Sequence, residues 1–123
     1  MNADWERLRA VATEEIEGTL MGLPAPLREP AAKLPVTFER QPSKEFQAEG
    51  IGPDTLGLFV GPDFVEEGGV PMPSQIILFL GNLWEFAGEE EQYFREEVRT
   101  TFLHELGHYL GLDEEGLAER GVE

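Results

Sequence analysis

The sequence predicts a mixed α+β fold, with an amphipathic helix near each end of the chain and three short strands between them. Two observations carry this expectation. Apolar residues recur at three- and four-residue spacing in the first twenty residues and again after residue 89. Between those stretches lie three short apolar runs, separated by segments rich in Gly and Pro.

The first helix is expected over residues 4–21, where Trp5, Leu8, Ala12, Ile16 and Leu20 share a face. Asp4 stands at the N-cap, and Arg7 occupies the position where a capping box would have Glu. Gly22 and Pro24 stop the helix. Residues 23–34, with Pro24, Pro26 and Pro30, read as a connecting loop with at most one helical turn.

A half-buried strand is expected at about 35–40, where Val36 and Phe38 alternate with Thr37 and Glu39, and Pro42 ends it. Residues 43–54 read as loop. Thr55 to Val60 is the second strand. Gly57 inside it signals a bulge or a close backbone approach. Residues 61–73 read as a long loop. Ser74 to Leu80 is the third strand, and its Ile-Ile-Leu-Phe-Leu run suits burial on both faces. Gly81 to Gly88 reads as a second connection. The longest helix is expected from Glu89 to about Leu110, with Glu89, Glu90 and Glu91 at its positive end and Gly111 beyond its last turn. A short helix or turn is expected over 113–120. No repeat or boundary divides the chain, so one domain over 1–123 is expected.

The last long helix contains His104-Glu105-Leu106-Gly107-His108, an HExxH motif. Residues four apart on a helix lie one turn apart on one face, so two imidazoles can bind one metal ion. The intervening Glu is then beside the metal, where it can take a proton from water and later give it to a leaving amine. With about 100° per residue and His104 at zero, His108 falls at about 40° and Glu105 at about 100°. Phe102, Leu106 and Leu110 fall at about 160°, 200° and 240°, which puts the apolar arc opposite the histidines. An HExxH arises by chance in roughly one sequence of this length in several hundred. Here it holds both histidines of the protein.

Zinc is the expected metal, because it accepts imidazole nitrogen and carboxylate oxygen in a tetrahedron. Gly111 can end the helix at positive φ and turn the chain back toward the site. The spacing is that of HExxHxxGxxH, whose last ligand falls here on Glu114. Glu114 is the first candidate for third ligand; Asp113, a later Glu or no third protein ligand are the alternatives. A Met-turn is not expected, since Met1, Met21 and Met72 all precede the motif. Nor is a distant helix bringing a Glu ligand, with the sequence ending at Glu123.

Composition excludes several partners. The formal charge of −16, from 9 basic and 25 acidic residues, opposes nucleic acid and anionic membrane surfaces. It suits a solvated surface or a basic peptide partner. With no cysteine there is no disulfide framework and no thiolate ligand. The N-terminal residues have no apolar signal-peptide core, and no apolar run is long enough to span a bilayer, so a cytoplasmic protein is expected.

The stretch Arg95 to Leu103 followed by HELGHYLGLDEEGLAERG resembles the short bacterial zincin-like metallopeptidases, or mini-zincins. A weaker likeness extends to Leu56–Gly61, to Pro73–Phe79 and to the N-terminal helix with its Leu23-Pro24 turn. The resemblance implies a minimal zincin-like α+β fold: a small sheet, of about three strands, packed with an N-terminal helix and a long active-site helix. It implies His104 and His108 as zinc ligands, Glu105 as catalytic base, and an acidic third ligand after the glycine.

The leading functional expectation is a zinc-dependent hydrolase of peptide bonds, its substrate lying along an edge strand supplied by Thr55–Val60 or Ser74–Leu80. Tyr93 and Tyr109 are candidates for oxyanion stabilisation, set against a plain packing role. The alternative is a non-catalytic, metal-stabilised acidic module that binds a protein partner. A third reading compares the motif with the HGxxHLxGxDH pattern of bacterial rRNA-processing metalloendoribonucleases. This chain has Glu105 where they have Gly and Glu114 where they have His, and its acidity opposes RNA.

Overall fold

Helix α1, Trp5–Met21, turns Leu8, Val11, Ala12 and Ile16 into the core in the computed structural model, which describes residues 4–61 and 74–111. Asp4 takes the N-cap position, but its side chain makes no capping hydrogen bond. The element order continues α2 (Ala25–Ala32), β1 (Val36–Glu39), α3 (Lys44–Ala48), β2 (Gly57–Val60), β3 (Gln75–Phe79), α4 (Leu80–Phe86) and α5 (Glu91–Leu110).

The three strands form a mixed sheet in the order β1-β3-β2. Strand β1 runs parallel to β3, with Val36 opposite Ile76; β2 runs antiparallel to it, with Gly57 opposite Leu78. The expected double burial of the third strand holds: Ile76, Ile77, Leu78 and Phe79 are all buried. That burial follows from the central position of β3 among the described strands. It also corrects one expectation, since Ser74–Leu80 lies inside the sheet and offers no edge. Among the described strands, β1 and β2 lie at the edges of the sheet. One face of the sheet joins α1, α2, α4 and α5 in a core of Leu8, Val11, Ile76, Leu78, Leu83, Phe94, Val98, Phe102 and Leu106, among others.

Three segments read as connections are helical. Residues 25–32 make a two-turn helix because Pro26 sits in the first turn, where a missing N–H costs nothing, and Leu27 and Ala31 bury together one turn apart. Residues 44–48 make a single turn, capped by the Ser43 hydroxyl, which accepts from the Phe46 N–H at 3.2 Å. Residues 80–86 form α4 directly off β3. Leu80 and Leu83 are buried there, and Gly81 lies so close to the Arg40 carbonyl that a Cβ would meet its oxygen at 2.6 Å. Most of the 61–73 loop and the expected 113–120 helix lie outside the described residues. No helix among the described residues is long and apolar enough to cross a membrane.

Candidate metal centre

Helix α5 is twenty residues long and divides its faces as its periodicity predicts. Phe94, Val98, Phe102 and Leu106 are at most 1 % exposed, while His104 and His108 face outward. Its first half is tied to α1 by ion pairs. Arg95 reaches Glu14 at 3.0 Å and Glu15 at 3.3 Å, and Arg7 reaches Glu91 at 2.6 Å. Hydrogen bonding to Arg7, with Arg95 adding to it, holds the Glu91 carboxyl below the usual glutamate range. The acidic start of the helix therefore answers two arginines as well as the helix dipole.

The second half carries the candidate site. The Nε2 atoms of His104 and His108 stand 3.4 Å apart, with ring planes at 76°. Which ring carries its proton on Nε2 is open to either imidazole. One tautomer makes a hydrogen bond between the rings; lone pairs turned inward on both make half of a chelate. Zinc held by two imidazole nitrogens at about 2.0–2.1 Å in a tetrahedron separates them by about 3.3–3.4 Å. The 3.4 Å separation of the pair matches that spacing.

Glu105 stands beside this pair. Its carboxylate oxygen is 4.0 Å from His104 Nε2, and its side chain is 13 % exposed against 54 % for His104. Burial of its stem comes from β2: a Cβ built on Gly57 would lie 3.4 Å from Glu105 Cγ and 2.6 Å from Thr101 Cγ2. Gly57 lies in an unbroken register with β3, and what approaches it from α5 is the side chains of Thr101 and Glu105, not the bulge or backbone that its place in the strand suggested. Among the described residues, His104, Glu105 and His108 are the cluster that could hold a metal ion, with one ligand atom of each within 4.8 Å of the others.

Gly111 closes α5 at φ 72° and ψ 27°, with its N–H on the carbonyls of Gly107 and His108. This is the left-handed end expected from the sequence. Glu114 and Asp113, the two first candidates for third ligand, lie outside the described residues.

The tyrosines separate cleanly. Tyr109 is 2 % exposed, with its ring 5.9 Å from that of Phe59, so it packs β2 onto α5. Tyr93 is exposed near the start of α5, about three turns or roughly 16 Å from His104 along the axis, too far to serve the site. One contributor was not legible in the sequence. Asn82 in α4 donates to the carbonyls of Pro53 and Thr55, at 2.8 and 2.9 Å, and so fixes the approach into β2.

A mixed sheet backed by helices, with an outward-facing HExxH pair on the longest of them, defines a zincin-type scaffold. The chain belongs to the zincin-like metallopeptidases, whose family model matches residues 31–122. That family implies a metal cofactor, typically zinc, and a hydrolase. No curated protein matches the chain.

Proposed function

We propose that this protein is a zinc-dependent hydrolase of peptide bonds, with His104, His108 and Glu114 as metal ligands and Glu105 as general base. The observation that carries the reading is the 3.4 Å separation of the two Nε2 atoms with the Glu105 carboxylate alongside. Zinc, when bound, supplies a Lewis acid for water and for the scissile carbonyl. Glu105 takes the proton of the attacking water and delivers it to the leaving amine. Its half-buried stem limits its rotamers and so keeps that carboxylate on the metal side. Strand β2 offers an extended substrate an edge to pair with, directly beside Glu105. The net charge of −16 favours basic peptides and disfavours nucleic acids and anionic membranes.

The decisive experiment compares wild type with Glu105→Gln on a peptide library enriched in Lys and Arg. Zinc content should stay stoichiometric in both. Turnover should fall in the variant by on the order of 10²–10⁴-fold, the usual worth of a general base. Equal turnover in the two proteins would remove the peptidase reading. Zinc bound by a wild type that cleaves nothing would favour the acidic interaction module instead.

A further inference from the structure

We infer that Gly57 is a positioning residue for Glu105: by carrying no side chain, it lets edge strand β2 seat against α5 at the depth that fixes the Glu105 carboxylate beside the histidines. The inference rests on the reading of Glu105 as general base. A Cβ at position 57 would meet Thr101 Cγ2 at 2.6 Å, Leu78 Cδ2 at 3.3 Å and Glu105 Cγ at 3.4 Å. Carbon atoms pack at about 3.5–4.0 Å, so the Thr101 contact alone demands a shift of about 1 Å.

The strand has little room to supply that shift. Gly57 is in register with Leu78 on the central strand, the Phe79 N–H donates to the Leu56 carbonyl at 2.9 Å, and Asn82 holds the carbonyls of Pro53 and Thr55. Thr101 is buried, and a helix leaves its χ1 two common rotamers, so it has little freedom to turn its methyl away. Displacement therefore passes into α5 at Thr101, one turn before Glu105. As β2 and α5 part, the Glu105 stem loses the wall that limits its rotamers and its carboxylate swings relative to the two imidazoles, whose mutual spacing α5 alone sets. An error of about 1 Å in a catalytic group costs on the order of 10²-fold in rate.

The test uses the zinc-loaded full chain as wild type, Gly57→Ala, Gly57→Ala/Thr101→Ser and Glu105→Gln. Serine keeps the hydroxyl of Thr101 and removes the methyl that clashes. Four measurements are made: thermal midpoint, zinc affinity, kcat and KM on a cleaved peptide, and affinity for acetohydroxamic acid. A hydroxamic acid chelates the metal and leaves its proton to a neighbouring carboxylate, so its affinity reads the carboxylate without turnover. Gly57→Ala should lower kcat and hydroxamate affinity by roughly 10–100-fold, with KM and zinc affinity within about 2-fold of wild type. The double variant should return both to within about 3-fold of wild type, since the clash is gone. Unchanged kcat and hydroxamate affinity in Gly57→Ala would overturn the inference. So would recovery of stability without recovery of either quantity in the double variant, or unfolding of both variants. Hydroxamate affinity equal in wild type and Glu105→Gln would overturn it as well. A wild type that cleaves no peptide but binds hydroxamate through Glu105 defeats only the peptidase reading, and the hydroxamate series then decides the role of Gly57.

Discussion

His104 and His108 present their Nε2 atoms to one another at 3.4 Å from successive turns of α5. The spacing is a property of the helix more than of the surrounding loops, because a four-residue step brings the two side chains onto one face. Two of the proposed ligands are therefore placed by local geometry; the proposed third, Glu114, lies outside the described residues.

Replacing either histidine by Ala should weaken zinc binding by more than the roughly 10–100-fold that loss of an outer partner costs. Competition with a chromophoric chelator measures it. The thermal midpoint of the metal-free protein should change little, since both side chains lie outside the core. Metal affinity that survives either substitution would place the site elsewhere.

Glu114→Ala and Asp113→Ala distinguish the candidates for third ligand. Glu114→Ala should lower zinc affinity by at least about 10-fold and Asp113→Ala by less than about 3-fold, because one carboxylate completes the set. The reverse order would transfer the assignment to Asp113.

Gly111→Ala tests the helix end. No atom of the described residues lies within 4 Å of the added Cβ, and the φ of 72° by itself costs about 1 kcal/mol by chemical denaturation. Zinc affinity should fall as well, because the chain leaves the helix in a new direction. Gly111→Asn should be milder on both measures, as Asn tolerates the left-handed region better.

The Arg7–Glu91 pair predicts a pH dependence. Hydrogen bonding to Arg7 lowers the Glu91 carboxyl pKa in the folded state, so the folded protein holds that proton less tightly than the unfolded chain. The contribution is present above the ordinary glutamate range, about pH 4–5, and disappears as pH falls through the lowered folded value. Arg7→Ala should thus flatten the acid side of a melting-temperature profile and leave the neutral side almost unmoved. The pair is exposed, so the difference should be small and should shrink in high salt. An acid limb identical in wild type and variant would contradict it.

The elements that position the site were legible because each carries a long or unbroken pattern. Phe94, Val98, Phe102 and Leu106 mark α5 over three turns, and Ile76 to Phe79 could only be a buried strand or a buried helical turn. Helices α2, α3 and α4 were not legible, since five to eight residues hold too few periods to register. Pro30 inside α2 and Gly81 inside α4 argued locally against helix; burial of Leu27, Ala31 and Leu83 outweighs them. Of the site, the sequence carried the motif and marked Gly57 as out of place in its strand. It could not carry the reason: the side chains of Thr101 and Glu105 meet Gly57 only through tertiary packing, and Asn82 holds the 53–55 turn in the same way.

Arg95 ties α5 to α1 near one end of the helix, and the imidazoles stand in solvent near the other. Nothing in the buried cluster of the described residues depends on those imidazoles. A metal ion held there would be cargo on a frame whose core the described residues complete without it, unlike the ion of a zinc finger, whose removal unfolds the domain. Chelation should leave the circular-dichroism spectrum intact, and zinc should raise the melting temperature only as mass action allows. Such a frame can lose, exchange or regain its ion without refolding, so ion supply alone could set how much of the protein is loaded.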